Sequence, residues 1–199
     1  MGRPALSPAG ISAFRERAVG VALRLFTTQS EVSLRQLAKA MGVSPTTPYR
    51  YFQSKEELFM AVRATCYHRF ASVLETRLAA IGDPIDRVFE ISAVYDGHAS
   101  EHPAEFGLMF QLGQPDPQAY PRAHAAGVAT WQVVMGAVED AVLSGRVHAD
   151  AEHLAHLLWS GVHGIVSLSQ SNRFTVGQSA QDLLRPMTAA LLRAHGWTP

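Results

Sequence analysis

The chain has 199 residues, 47% of them hydrophobic and 17% charged, a globular composition with material for a sizeable core, which excludes a disordered or fibrous chain. A single cysteine, Cys66, excludes an intramolecular disulfide framework and suits a reducing compartment. The formal net charge is zero, yet residues 1–60 carry eight Lys/Arg against four acids, and the remainder carries nine against thirteen together with all nine histidines, so any polyanion is directed to the N-terminal head.

Strand signals are nearly absent, with no Asn-Gly or Asp-Gly hairpin turn, and apolar residues recur at helical spacing throughout. The prediction is an all-α chain of about nine helices. Phe14, Ala18, Val21, Ala22, Leu25 and Phe26 form the apolar face of the first. Leu34, Leu37, Ala38 and Met41 form that of a short second helix, with Ser33 as its N-cap. Gly42 ends it, because glycine enters the left-handed conformation without a Cβ clash. Ser44 caps a third helix of about seven or eight residues, with Pro45 at the first position, where no N–H is needed. Ser54 caps a fourth, and Glu57 completes a capping box. That fourth helix continues through Phe59, Val62, Phe70, Val73, Leu74 and Leu78 to about Ile81, where Gly82-Asp83-Pro84 stops it.

Ile85, Val88, Phe89, Ile91 and Val94 begin a helix that ends near His102-Pro103, and a short one follows to about Gly113. The proline-rich stretch Gln114–Pro121 reads as a loop. A long helix then runs through Val128, Trp131, Val134, Met135, Val138 and Val142 to Gly145. Asp150 opens the next, with Leu154, Leu158, Val162 and Ile165 on one face. Its apolar stretch, Leu154 to Leu168, falls short of the roughly 20 residues that a membrane span requires. No signal peptide is readable after Met1-Gly2-Arg3-Pro4, so the expectation is a cytoplasmic protein with no membrane partner. The last helix runs from roughly Ser179 to His195, with Pro186 either kinking it or marking its start.

The segment Ser33–Phe52, SLRQLAKAMGVSPTTPYRYF, has the form of a helix-turn-helix. Leu34, Leu37 and Ala38 supply its inward face, Gly42-Val43-Ser44 the turn, and Val43 the contact between the helices. Thr46, Thr47, Tyr49 and Arg50 project from the start of the second helix, the part that enters a major groove. Threonine hydroxyls and methyls touch base edges, while Tyr and Arg reach phosphate or guanine. Lys55, at the start of the fourth helix, is positioned to bind a phosphate beside free backbone N–H groups. The candidate DNA-binding set is Ser33, Arg35, Ser44, Thr46, Thr47, Tyr49, Arg50, Tyr51 and Lys55. A plain helical hairpin with solvated polar residues is the alternative, but Tyr49, Tyr51 and Phe52 put three aromatics within four residues of one short helix.

ALRLF (Ala22–Phe26), SLRQLAKAMGVS (Ser33–Ser44) and PYRYFQSKEEL (Pro48–Leu58) resemble the tetracycline-repressor-like (TetR) family of regulators. LWSGVHGIVSL, with Trp159, His163 and Gly164, resembles a subgroup with a Trp-x-x-x-His-Gly element, and HPAEFGLMF (His102–Phe110) resembles that subgroup's central segment. The resemblance implies phosphate-contacting or register-fixing roles for Tyr49 and Lys55, with Tyr51 beside them, and base reading by Thr46 and Thr47. It also implies a dimer formed by the last two helices. Two departures stand out. The connection from Phe26 to Ser33 lacks the family's glycine, and Pro48 replaces an aliphatic residue. Pro48 removes a hydrogen bond to Ser44 and disfavours helical geometry at Thr47, so the helix is expected to begin tightly wound.

Residues 1–54 are expected to form the DNA-binding domain and 55–199 a ligand-binding and dimerisation domain, bridged by the helix 55–81, a lever on the order of 40 Å long. Ser160, Gly164, Ser167 and Ser171 recur at spacings of 4, 3 and 4, a stripe of small side chains that admits another helix, with Ala190, Leu191 and Ala194 beside it. The stripe serves either a partner subunit or a neighbouring helix of the same chain. Phe89, Met109, Phe110, Trp131, Met135, Trp159 and His163 line a small-molecule pocket or form plain core. The expected function is a homodimeric repressor that binds a palindromic operator in double-stranded DNA and is released by a small-molecule effector.

Catalysis is not expected: there is no Glu-x-x-His pair, glycine-rich phosphate loop, zinc-type Cys cluster or Gly-x-Ser-x-Gly elbow. No cofactor or resident metal is expected. His98 with His102, and His153 with His156, leave open a metal- or pH-responsive regulator, and a helical interaction module without DNA is the further alternative.

Overall fold

The computed structural model describes residues 7–29, 31–110 and 116–199, and every regular element among them is helical. Eight α-helices occur in order: α1 Pro8–Phe26, α2 Leu34–Met41, α3 Lys55–Ala79, α4 Pro84–Glu101, α5 Pro103–Phe110, α6 Pro121–Leu143, α7 Ala151–Gln170 and α8 Ala180–Ala194. The ninth element is not the expected α-helix capped by Ser44 but a 3-10 turn, Pro48–Arg50. Pro48 has no N–H to give the Ser44 carbonyl, so that carbonyl takes the Thr47 N–H three residues on, at 2.8 Å. The Arg50 and Tyr51 N–H groups repeat the three-residue step onto Thr47 and Pro48.

The chain divides into two compact units. The first comprises residues 1–66 and 107–126, the second 67–106 and 127–199. In the first unit α1 buries Phe14, Ala18, Val19, Ala22 and Leu23, a face rotated from the expected one, which leaves Val21, Leu25 and Phe26 half-buried. The end of α1 replaces the missing glycine with two hydroxyls: Thr27 donates to the Arg24 carbonyl at 2.7 Å and Thr28 to that of Leu25 at 3.1 Å. These bonds satisfy carbonyls that a left-handed cap otherwise serves. Packed on α1, α2 begins with a capping box: the Gln36 N–H donates to Ser33 Oγ, and Gln36 Oε1 accepts from the Ser33 N–H. Its end is Gly42 at φ 66°, from which Val43 donates back to the Ala38 carbonyl at 3.0 Å. Ser54 Oγ accepts from the Glu57 N–H at 3.1 Å, while Glu57 returns to the Gln53 N–H, one residue before the expected box.

In the second unit α4, α7 and α8 pack together around Ile85, Val88, Phe89, Leu154, Leu158 and Leu192, joined by Val138 and Ala141 of α6 and by Trp197. Asp83 caps α4 through the Ile85 and Asp86 N–H groups and pairs with Arg146, which holds its carboxyl below the usual range. Pro186 lies inside α8 and does not start it, because Ser179 and Asp182 form a capping box ahead of it. Gly161 lets α8 approach α7: a Cβ there would stand 2.7 Å from Met187 Sδ. Of the loop expected at Gln114–Pro121, Gln114 and Pro115 lie outside the described residues, and Asp116–Tyr120 form a turn closed by the Tyr120 N–H on the Asp116 carbonyl.

Candidate nucleic-acid interface

The 3-10 turn packs against α2, and its flanks are clamped to α1 and α3 by a group centred on Arg15. Tyr51 stacks on Phe14 with ring centroids 3.8 Å apart and planes 15° from parallel. The Arg15 guanidinium donates to the Tyr51 carbonyl, pairs with Glu57 at 2.8 Å, and lies 4.5 Å over the ring of the fully buried Phe52. A charge-assisted bond to a carbonyl, with the cation over an aromatic face, is among the stronger short-range tethers. Between these anchors Tyr49 stands 55% exposed, with the exposed Arg50 next to it. Two aromatics therefore hold the turn while the third faces solvent.

The other expected contacts separate into available and committed groups. Arg35 and Thr46 are exposed, whereas Thr47 is half-buried. Ser44 is not a helix cap; its hydroxyl meets that of Thr46 at 3.1 Å. The Ser33 hydroxyl is engaged by Gln36, accepting from its N–H and donating to its Oε1 at 2.7 Å. Lys55 donates from Nζ to Glu31 at 2.8 Å, which holds the Glu31 carboxyl below its usual range. Arg17 and Arg24 are exposed on a surface groove of about 500 Å³ between α1 and α2, floored by Gly20, Val21 and Met41. Arg15 was not among the expected site residues. Its partners are 36 to 42 positions away in sequence, and no local pattern connects them.

The residues expected to line a pocket do not form one group. Met109 is fully buried in the first unit, where its carbonyl accepts from Arg63 at 2.7 Å, and Phe110 is half-buried at the end of α5. Phe89 belongs to the core of the second unit, edge-on to Trp197 at 5.5 Å, with Met135 and Trp131 packed against that core. Trp159 and His163 belong to a series of rings in that unit. Trp159 stacks on His163 at 5.6 Å, His163 on Phe106 at 6.1 Å, and Tyr95 meets Phe106 and Phe70 edge-on at 5.5 and 5.7 Å. The Tyr95 hydroxyl meets His163 Nδ1 at 2.7 Å, and His163 Nε2 meets Ser167 Oγ at 3.2 Å. Burial pushes the Tyr95 hydroxyl up and the His163 imidazole down, so both stay uncharged near neutrality.

Among the small residues of α7, Ser160 and Ser171 are exposed and Gly164 has no atom within 4 Å of the position of a Cβ. Ser167 is half-buried on His163. On α8, Ala190 and Ala194 are exposed, whereas Leu191 packs on the core. His98 is buried and His102 exposed, their rings 5.2 Å apart, and the described residues hold no group of three metal-ligating side chains. No helix among the described residues is long and apolar enough to cross a membrane.

Comparison with known proteins bears on this geometry. Residues 19–62 match the family of bacterial regulatory proteins, tetR family, and residues 88–191 match the tetracyclin repressor-like C-terminal domain. The HTH-type transcriptional regulator Rv1816 of Mycobacterium tuberculosis is 28% identical over 186 residues, covering 77% of this chain and 76% of its own. A protein of unknown function from Rhodococcus sp. RHA1 shares the fold with a TM-score of 0.81 at 22% identity, over 92% of this chain and 95% of that one. RolR, solved in complex with resorcinol, shares it with a TM-score of 0.69 at 17% identity, over 96% and 92% of the two chains. With the clamped turn at the N-terminal match and the helical C-terminal match covering half of the sequence, the chain belongs to the tetracycline-repressor (TetR) family of DNA-binding transcriptional regulators.

Proposed function

We propose that the chain is a homodimeric repressor whose two heads bind a palindromic operator and that a small molecule taken up by the C-terminal part releases it. Residues 1–54 act as the DNA-binding domain in this reading, and 55–199 as the ligand-binding and dimerisation domain. The observation that carries it is the Arg15 clamp: a turn held by Phe14 and Phe52 keeps Tyr49 and Arg50 exposed in one preformed arrangement. Tyr49, Arg50, Arg35 and Thr46 are the proposed direct contacts. Lys55 joins them by exchanging Glu31 for a phosphate.

Energetics favour two heads. A short turn delivers about two base contacts worth about 1–3 kcal/mol each. Specific binding needs about 4–10 kcal/mol over non-specific binding. Two heads about 34–36 Å apart meet that requirement on a palindrome. The open position at Gly164 and the exposed Ser160, Ala190 and Ala194 support α7 and α8 as the dimer face. The resorcinol complex of RolR supports ligand control.

The test is a titration of Tyr49→Ala and Arg50→Ala against duplexes selected from a random pool. Tyr49→Ala is expected to weaken all selected duplexes about equally, and Arg50→Ala to relax preference at one position per half-site. Unchanged affinity and preference in both variants would remove the turn from the interface.

A further inference from the structure

The ring series of the second unit contains a buried polar atom that the fold leaves unused. His98 is only 7% exposed, its ring lies 4.9 Å from Phe70, and its Nε2 has no hydrogen-bond partner. A buried imidazole nitrogen without a partner has lost its water and gained nothing in return. Burial also drives its pKa down to about 4, so at neutral pH it offers a hydrogen bond without a charge.

The rest of the series has the same character. Both His163 ring nitrogens have hydroxyl partners, Tyr95 at Nδ1 and Ser167 at Nε2, and burial lowers the imidazole pKa, which favours its neutral form. Charged groups on the adjoining elements are paired, half-buried or exposed to solvent. Arg69 and Glu105 pair with each other at 2.9 Å, and burial pushes the Asp96 carboxyl up. Glu101 and His102, one helical turn beyond His98, are exposed. At the other end of the series Trp159 is 39% exposed, so the rings are accessible from solvent there.

We propose that this series is the ligand site of the regulator and that it takes an uncharged, flat aromatic molecule bearing a hydroxyl. The proposal rests on the ligand-responsive reading above. Its rings stack the body of the molecule, and the hydroxyl, able to donate or accept, completes His98 Nε2 whichever tautomer is present. An ionised carboxylate or ammonium would surrender its hydration to a site whose histidines and tyrosine are neutral.

The experiment is calorimetric titration of the full chain at pH 7.5 with three probes of one shape: 2-naphthol, 2-naphthoate and naphthalen-2-ylmethylamine. The expected result is saturable binding of 2-naphthol at least roughly ten-fold tighter than either charged probe. His98→Phe, which keeps a ring, is expected to lose roughly that factor for 2-naphthol. His98→Gln, which restores a polar partner, is expected to recover part of it, which covers the case in which the Phe variant misfolds. Equal or tighter binding of either charged probe, no saturation by 2-naphthol, or unchanged affinity in both variants would overturn the proposal. Adding 2-naphthol to the protein–duplex complex separates the two readings. Binding without duplex release contradicts ligand control and leaves the site standing, whereas intact duplex binding with no uptake of 2-naphthol removes the site and leaves the DNA reading untouched.

Discussion

Replacing Arg15 by Met keeps most of the aliphatic stem and removes the guanidinium that ties the recognition turn down. Three interactions go with it. The charge-assisted bond to the Tyr51 carbonyl contributes about 1.5–3 kcal/mol, and the cation over Phe52 about 0.5–1 kcal/mol. The pair with Glu57 adds at most about 0.5 kcal/mol, because both side chains are partly exposed and Glu57 keeps its bond to Gln53. Water reaching the freed Tyr51 carbonyl offsets part of the sum, which leaves a local loss of about 2 kcal/mol. When the turn must be re-formed on the duplex, that loss weakens binding by up to about thirty-fold. Fluorescence anisotropy with a selected duplex measures it, and amide exchange at Tyr51 and Phe52 reports the opened turn. Arg15→Lys should recover only part, since a single nitrogen, Nη1, makes both the carbonyl bond and the Glu57 pair, which an ammonium can imitate, while the flat cation over Phe52 is lost. Duplex affinity within two-fold of the parent, with unchanged exchange protection, would refute the clamp.

Glu31→Gln frees Lys55 and removes an acid beside the expected phosphate; it should tighten duplex binding a few-fold, and Lys55→Ala in the same chain should abolish the gain. An affinity indifferent to both changes at low salt would mean that Lys55 stays off the DNA. His98 binds fewer protons folded than unfolded between its buried pKa of about 4 and the ordinary value of about 6.5, so its contribution to stability is full above that upper value and lost as pH falls toward 4. The shift corresponds to about 3 kcal/mol, reduced by solvent screening to about 2 kcal/mol. Denaturant melts from pH 7 to 4.5 should show this slope flattened in His98→Phe, and identical slopes would contradict the burial argument. Gly164→Ala meets no atom within 4 Å, so the helix should gain about 0.5–1 kcal/mol while the dimer weakens if the stripe is its face. Melting and sedimentation separate the two effects, and an undiminished dimer would move the interface elsewhere.

Local chemistry was legible where it acts over a few residues. Ser33 caps the start of α2 and Gly42 at φ 66° its end, as capping rules require, and the breakers at Gly82-Asp83 and Gly145 fall between the expected helices, with Pro84 opening the next one. Pro48 was read as tightening the recognition helix, but its effect together with Pro45 is larger, leaving three residues of 3-10 turn. The expected third helix rests on Ser44 as a cap and Pro45 at a first position, signals that a turn and a helix share over so short a stretch. The Arg15 clamp was not legible, because cation, carbonyl and carboxylate meet only after α1 and α3 are in place. The same limit applies to Lys55, whose partner Glu31 is 24 positions earlier. Apolar spacing also could not tell a ring that lines a site from one that fills the core. Phe89 and Trp159 read alike in sequence, yet Phe89 is buried on Trp197 and Trp159 stands at the open end of the ring series.

The most direct test of the account is selection of bound duplexes from a random-sequence pool at low ionic strength, followed by affinity measurements as salt is raised. The account predicts enrichment of an inverted repeat with half-sites about 10 base pairs apart, or a multiple of that turn, and an affinity that falls steeply with salt. Recovery of no sequence above background, or of an unpaired single site bound with no salt dependence, would contradict it.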